Sequence, residues 1–436
     1  MPRRNLLLLA ATLIVSAMCY AKADSAHRSR YGRMFNTFVQ LLEKIETRYV
    51  EPVDERELFE GALHGTVAAL DDPNSAYYSP RQAQASRSQL EQQFGGIGIE
   101  LTWDRATRQL TIVTPLVGSP AEMAGVLPGD KIIEIDGQGM EDITFDDAAR
   151  RLRGKPGTIV RLKLLREGQD DAVDVALRRA IIKTETVVGY RRTRGGTSRH
   201  AWDYFLPGTD RVAYVRVTLF GKNTAEELKS TLESLKQQHM TGLVLDLRNN
   251  GGGLLQAAQE TCNLFIHEGV IVSTRGRDGR PLDVRRADGT GPLTDVPVAV
   301  LINRFSASAS EIVAACLQDH QRATIVGTRS YGKGTVQDVL LLEDGISEVR
   351  LTIATYWRPS GKNIHRSRSA TDRDEWGVLP DPGDDVPLSD KQWSEIVRDR
   401  ARRSHVNAPA VAPKADEPTV ADPQLDRAVE ALQADR

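Results

Sequence analysis

A run of serines stands at the start of a predicted helix, in the segment FSASASE (305–311). Ser308 lies off the apolar face of that helix and at its first turn, where backbone amides have no partner within the helix. A serine there commonly caps the helix, but it is also a group that attacks carbonyls once a base removes its proton. The residue types alone do not distinguish Ser308 from Ser306 or Ser310. The apolar face itself consists of Ala309, Ile312, Val313, Cys316 and Leu317.

Lys333 is the base that the sequence offers, because no histidine has a convincing partner acid. It begins a predicted strand in which Lys333, Thr335 and Gln337 share one face by the period of two. Free lysine has a pKa of about 10.4, so almost all of it is protonated at neutral pH. Burial disfavours the ammonium. We therefore predict that Lys333 lies in an apolar site and has a lowered pKa.

Two glycine-rich segments are candidate anion-binding turns. GTRSYGKGT (327–335) nearly matches the phosphate-binding pattern G-x4-G-K-[ST], but Gly334 replaces the hydroxyl residue that binds Mg²⁺, which argues against a nucleotide site. RNNGGG (248–253) lies between a predicted buried strand and a helix. Its amides either form only a tight turn or hold negative charge at the end of the strand.

The elements that would position these residues alternate along the second half of the chain. Such alternation predicts an α/β core, in which a mixed, largely parallel sheet has flanking helices. Helical spacing over 31–70 predicts an amino-terminal helical segment, and short Ile- and Val-rich strands with helices at 121–124 and 145–152 predict a small domain that ends near Arg179. The core strands are VAYVRV (212–217), GLVLDLR (242–248), PVAVLIN (297–303) and RATIVG (322–327), with helices over 224–238, 254–265 and 308–318.

Composition excludes several function classes. The 436 residues include 57 basic and 59 acidic side chains, and this balance argues against a nucleic-acid partner. The eight histidines and three cysteines show no metal-ligand spacing, so we expect no metal and no cofactor. Cys262 and Cys316 lie on apolar faces of predicted helices, where two buried thiols are favoured over a disulfide.

Residues 1–23 have the layout of a secretory signal peptide. Arg3 and Arg4 precede an apolar run from Leu6 to about Ala21, and residues 21–23 match an A-x-A cleavage pattern. An uncleaved membrane anchor is the alternative, but a helix of this length reaches only about 24 Å across a hydrocarbon core of about 30 Å. We therefore expect an exported protein, periplasmic or associated with the cell envelope.

Seven segments, in order along the chain, carry a resemblance to a known family. They are LDDPNSAYY (70–78), GGIGIEL (95–101), SPAEMAGVLPGDKIIEIDG (119–137), LDLRNNGGGLL (245–255), SASASEI (306–312), GTRSYGKGTVQ (327–337) and TIATYWRPSGKNI (352–364). Together they resemble the carboxyl-terminal processing peptidases, or tail-specific proteases, over roughly residues 32–390. These are serine endopeptidases with a PDZ domain and a Ser-Lys dyad.

The resemblance implies a role for each candidate site residue. Ser308 is the nucleophile, Lys333 the base and Gln337 the residue that orients the lysine. We expect the oxyanion to be held by the amide of Ala309 and by one from Gly252 or Gly253.

A PDZ domain inserted before the protease core also follows from the resemblance. Such domains bind an extended peptide at a strand edge and hold its carboxylate in a nest of amides, here those of Gly95, Gly96, Ile97 and Gly98. The expected partners are protein substrates held by their carboxyl-terminal tails, with an adaptor protein and self-association through the amino-terminal helices as further expectations. The domain plan is a signal peptide (1–23), a helical region (24–90), the PDZ domain (91–180), the protease core (181–390), and a linker with a short helix over 424–433 (391–436).

Three departures from the family pattern lie near the site. Gly251 stands where proline is usual, Arg304-Phe305 replaces small residues, and RSRSATDRDEW (366–376) looks like an insertion before Pro380-Asp381. None of them removes a catalytic group. The alternative function is a catalytically silent peptide- or ligand-binding scaffold of the same fold.

Overall fold

The structure is a computed structural model that describes residues 15–16, 18, 30–104, 109–116, 118–140, 143–166, 169, 171–194, 200–342, 345–404 and 420–434. The predicted signal segment lies almost wholly outside these residues. Among the residues described, no helix combines the length and the apolar character that crossing a bilayer requires.

The chain divides into two compact units, of which the first comprises Met1–Ser79 and Val339–Leu351. It contains α1 (Arg30–Arg48), α2 (Glu55–Ala68) and β1 (Ala76–Tyr78). Asp54 begins α2, since its carboxylate accepts the N–H of Arg56 at 2.8 Å. Residues 76–78 pair antiparallel with residues 348–350. Helix α1 exposes the apolar side chains of Met34, Phe35, Val39 and Leu41.

The second unit comprises Pro80–Asp338 and Thr352–Arg436, and its first part forms an antiparallel sheet with two short helices. The strand order is β3-β4-β5-β7-β8, with β6 paired to β5, while β2 pairs separately with β9. Both helices lie where the sequence predicts them, and each begins at a side-chain cap, Ser119 or Thr144. The elements are α3 (Pro80–Leu90), β2 (Gln93–Gly96), β3 (Ile99–Asp104), β4 (Gln109–Pro115), α4 (Pro120–Met123), β5 (Lys131–Ile135), β6 (Gln138–Gly139), α5 (Phe145–Leu152), β7 (Ile159–Leu165), β8 (Val173–Arg178) and β9 (Ala180–Lys183).

The α/β expectation for the second half of the chain is confirmed. A sheet of order β10-β13-β14-β17-β18 is parallel except at β10. Strands β14 and β17 are buried at every position because helices cover both faces, which explains their unbroken apolar runs. The elements are β10 (Val187–Val188), β11 (Arg191–Arg194), β12 (His200–Asp203), β13 (Val212–Val217), α6 (Thr224–Gln237), β14 (Gly242–Asp246), α7 (Leu255–Asn263), β15 (Val270–Arg275), β16 (Pro281–Arg286), β17 (Val298–Ile302), α8 (Ala309–Asp319), β18 (Thr324–Gly327), β19 (Thr335–Leu341), β20 (Glu348–Trp357), α9 (Asp390–Ser404) and α10 (Pro423–Ala434).

The carboxyl-terminal segment corrects one expectation. The sequence assigns residues 391–404 to a linker, but they form most of α9, which buries Ile396 and Arg400. Helix α10, close to the predicted 424–433, packs Ala428 and Leu432 onto the core sheet. Charged residues dominate α9, so its helix depends on partners elsewhere in the chain that its own pattern does not reveal.

Candidate active site

Ser308 is the residue that joins the loop after β17 to helix α8. Its φ is +55°, a value unusual for a residue with a side chain and one that surrounding contacts must maintain. The neighbouring serines supply such contacts. Ser306 Oγ donates to the carbonyl of Leu247 at 2.9 Å, and Ser310 Oγ donates to the carbonyl of Asn250 at 2.8 Å. Both hydroxyls are fully buried, whereas Ser308 is partly exposed, so Ser308 is the serine of the three that a substrate can reach.

Glu311 is the central acceptor of the site. Its Oε2 accepts the backbone N–H of Ser308 at 2.8 Å and that of Lys333 at 2.9 Å. Its Oε1 accepts the N–H of Gly332 at 2.7 Å and the hydroxyl of Ser330 at 2.6 Å. A single oxygen therefore holds the backbones of Ser308 and Lys333 side by side, although 25 positions separate them in the sequence.

The protonation of Glu311 reflects two opposed effects. The side chain is fully buried, and loss of hydration raises the pKa of its carboxyl to about 7. The four hydrogen bonds to its oxygens act in the opposite direction, because each favours the carboxylate. The group therefore changes charge near neutral pH.

Gln337 is the third residue of β19 (Thr335–Leu341), but Lys333 lies two residues before this strand begins. The expectation that Lys333 begins the strand is therefore wrong, because the chain enters the ladder only at Thr335. The Lys333 side chain is half-buried. The amide nitrogen of Gln337 donates to the hydroxyl of Thr335 at 2.8 Å and approaches that of Thr352 at 3.4 Å. These two contacts fix the orientation of the Gln337 side chain.

The glycine turn after β14 packs directly against the serine. Gly252 has a φ of +103°, and a Cβ added there would lie 2.8 Å from both the Ala307 carbonyl oxygen and Ser308 Cβ. Only glycine fits this approach. The N–H of Gly252 donates to Asn250 Oδ1 at 2.9 Å. By contrast, the backbone N–H groups of Gly253 and Ala309 donate no hydrogen bond to any other described residue.

A buried ion-pair network lies under this turn. Asp246 and Arg248 are both fully buried and pair at 2.8 Å. Arg248 also pairs with Asp422 at 2.8 Å, and Arg400 Nη2 lies 2.7 Å from Asp246 Oδ2. The adjacent guanidinium groups hold the pKa of Asp246 well below its usual range despite its burial. Tyr214 completes the network with a hydroxyl bond to Asp246 at 2.7 Å.

The four residues predicted to bind a peptide carboxylate lie apart from the serine motif, in the antiparallel part of the second unit. Gly95 and Gly96 belong to β2 and pair with β9. Ile97 is buried in the core of this part. Gly98 has a φ of +73°, and a Cβ added to it would lie only 2.3 Å from Ser119 Cβ. Glycine is therefore required at position 98.

Sequence reasoning missed Glu311 and the pair Asp246–Arg248. The signal for Glu311 was the spacing Ser-x-x-Glu at a helix start, where the acid side chain bonds back to the first backbone amide. For Asp246 and Arg248 the signal was a pair of charges at the end of a fully apolar strand, since such charges are buried only when paired.

No cluster of metal-binding side chains occurs among the residues that the structure describes. Cys262 and Cys316 are buried and unbridged, and burial raises the pKa of the Cys262 thiol. The groups that the described residues bring together around Ser308 are the Glu311 carboxylate and the backbone N–H groups of Ser308, Gly332 and Lys333.

The chain matches three family profiles and several curated proteases. A profile described as peptidase family S41 matches residues 211–381, one for the PDZ domain matches 111–166, and one for the N-terminal domain of the activating protease CtpB matches 14–81. The carboxy-terminal-processing protease of Bartonella bacilliformis is 37% identical over 389 residues, which are 88% of this chain and 82% of that protein. The corresponding protease of Synechocystis is 35% identical over 79% of this chain and 75% of its own length. CtpB of Bacillus subtilis is 34% identical over 79% of this chain and 68% of its own.

Proposed function

This chain belongs to peptidase family S41, as a carboxy-terminal processing protease with a PDZ domain, and on that premise we propose that it cleaves exported proteins through a Ser308–Lys333 dyad. Ser308 Oγ attacks the peptide carbonyl while Lys333 Nζ, in its neutral form, takes the hydroxyl proton. The proton then passes to the departing amine as the C–N bond breaks, which leaves an acyl-enzyme. Water, deprotonated by the same lysine, hydrolyses it.

The oxyanion of each tetrahedral intermediate is held by backbone amides in this proposal. Ala309 supplies one N–H at the start of α8. Since the N–H of Gly252 donates to Asn250, we assign the second donor to Gly253. Gln337 directs its amide nitrogen to threonine hydroxyls, so its amide oxygen is left to accept from Lys333 and orient it.

One observation carries this proposal above all. The carboxylate of Glu311 accepts the backbone N–H groups of both Ser308 and Lys333 at a single oxygen. A purely structural turn has no need to bring a strained, partly exposed serine and a lysine onto one buried acceptor. The arrangement suits two groups that must exchange a proton.

Substrate capture is the second part of the proposal. A protein tail adds to β3 along the edge that pairs with no other described strand, and its carboxylate is received by amides of Gly95–Gly98. We also propose export by residues 1–23, self-association through the exposed apolar side chains of α1, and delivery of some substrates by an adaptor protein. The silent scaffold remains the competing function.

Cleavage of a denatured protein with a free apolar carboxyl terminus tests these statements. The wild-type protein should cleave it, and Ser308→Ala should bind it without cleavage. Amidation of the tail removes one charge-assisted hydrogen-bond acceptor, worth about 1.5–3 kcal/mol. That corresponds to a loss of binding to Ser308→Ala of about 10- to 150-fold. Tail binding without cleavage by the wild type would favour the scaffold, and equal binding of both tails would reject carboxylate recognition.

A further inference from the structure

The segment of residues 366–376, which departs from the family pattern, is folded around one tryptophan. Trp376 is only 7% exposed. The Arg329 guanidinium lies 3.5 Å from the centroid of its ring, and that of Arg366 lies 4.4 Å away. The Trp376 indole N–H donates to the Thr371 carbonyl at 2.9 Å, which closes the segment on itself.

Arg329 fastens this segment to the chain that leads to Lys333. Its guanidinium donates to the carbonyl oxygens of Asp372 at 2.9 Å, of Trp376 at 2.9 Å and 3.1 Å, and also of Asp374. Bonds from one guanidinium to several carbonyls hold a loop in a single conformation. The segment is therefore anchored four positions before Lys333.

Both residues that flank Lys333 touch this segment or the residue that precedes it. Gly332 has a φ of +84°, and a Cβ there would lie 2.9 Å from Trp376 Cε3 and 2.7 Å from Arg366 Cβ. The Arg366 N–H donates to the Gly332 carbonyl at 2.9 Å. On the other side of Lys333, a Cβ on Gly334 would lie 2.1 Å from the backbone nitrogen of His365. The backbone of Lys333 is thus enclosed by this segment together with Glu311.

We propose that Trp376 is a positioning residue for Lys333: the stack of Arg329, Trp376 and Arg366 holds the backbone at Gly332 and thereby fixes the direction of the lysine. The inference rests on the proposed role of Lys333 as base. Among the described residues, the charged or titratable groups that meet residues 329–334 are Glu311 of α8, His365 and Arg366 after β20, and Asp372 and Asp374, whose charges act on Arg329.

The test compares Trp376→Ala with the wild type over the pH range of activity. Loss of the ring should lower kcat about 100-fold, because a small displacement of a catalytic group has an effect of this size. The KM should change little. The acid limb of the pH profile should move to higher pH by about one unit, because a lysine displaced from its half-buried position is better hydrated and ionises closer to its ordinary pKa. Trp376→Phe, which keeps an aromatic ring against the two arginines, should recover most of the activity.

Trp202→Ala is the matched control, because Trp202 also stacks under an arginine, Arg192, at 4.2 Å. It should leave kcat and the pH profile unchanged. A folded Trp376→Ala with a wild-type profile, or with a change in KM alone, would overturn the inference. If Trp376→Ala does not fold, Arg366→Ala replaces it in the test. Arg366 stacks on Trp376 and packs against Gly332, so its truncation should lower kcat and move the acid limb in the same direction. Activity retained by Lys333→Ala would instead reject the dyad itself.

Discussion

Replacement of Glu311 by glutamine is the perturbation that examines the site most directly. It keeps the size of the side chain but removes the charge and one acceptor oxygen. Each carboxylate oxygen receives two donors, so either orientation of the new amide points an NH₂ group at a donor. The orientation that faces Ser330 is the less costly one, because a hydroxyl can turn and accept.

The size of the pH effect on folding stability follows from the pKa of the Glu311 carboxyl, which is about 7 in the folded protein and 4.5 for an ordinary glutamate. Between these values the folded protein holds a proton that the unfolded chain has lost, so stability falls as pH rises through this window. At about 1.36 kcal/mol per pH unit, the folding free energy lost across this window is about 3 kcal/mol. Glutamine does not titrate. The advantage of the wild type over Glu311→Gln should therefore be about 3 kcal/mol larger at pH 4.5 than above pH 7.

Urea unfolding of both proteins at pH 4.5, 6 and 7.5, followed by tryptophan fluorescence, measures this difference. A constant difference across the three pH values would show that Glu311 does not titrate in this window. Activity gives a second readout. Glu311→Gln should lose about 100-fold in kcat at pH 8, because the backbones of Ser308 and Lys333 lose their shared charged acceptor. Wild-type kcat in a folded variant would refute the positioning role of this carboxylate.

Three further predictions address other parts of the site. Lys333→Arg should abolish cleavage and leave the thermal midpoint nearly unchanged, because arginine keeps the charge but cannot lose its proton; residual wild-type cleavage would remove the dyad. Gly252→Ala should lower kcat at least 100-fold, since the added Cβ would lie 2.8 Å from Ser308 Cβ. The control Gly251→Ala, whose added Cβ would have no atom within 4 Å, should cleave peptides at a rate within about twofold of wild type. Similar rates for the two variants would contradict the packing argument. Asp422→Asn should destabilise the protein by about 3–5 kcal/mol, because Arg248 loses part of its charge partner. The guanidinium groups lower the pKa of Asp422, so this difference should shrink as pH falls below the ordinary aspartate value of 3.8, and a difference that stays constant in acid denaturation would count against the ion-pair account.

The order of the core strands β13, β14, β17 and β18 and of the helices between them was readable from the sequence, because it depends on local periodicity. The unbroken apolar runs GLVLD and VAVLI predicted buried parallel strands, and capped helices were found within a few residues of their predicted positions. Lys333 and the serine motif were also recognisable, although the choice of Ser308 came from resemblance to a family. Residue types alone left Ser306 and Ser310 as equal candidates.

The tertiary structure decided what depends on contacts between distant positions. Burial of the Ser306 and Ser310 hydroxyls against Leu247 and Asn250 distinguishes them from Ser308. Glu311 became the shared acceptor of the site only when residues 330–333 folded against α8. The charged helix α9 looked like a linker because its partner, Asp246, lies 154 positions earlier. Hydrogen bonds and ion pairs of this kind leave no periodic trace in a sequence, since their energy depends on distance in space and on burial from water.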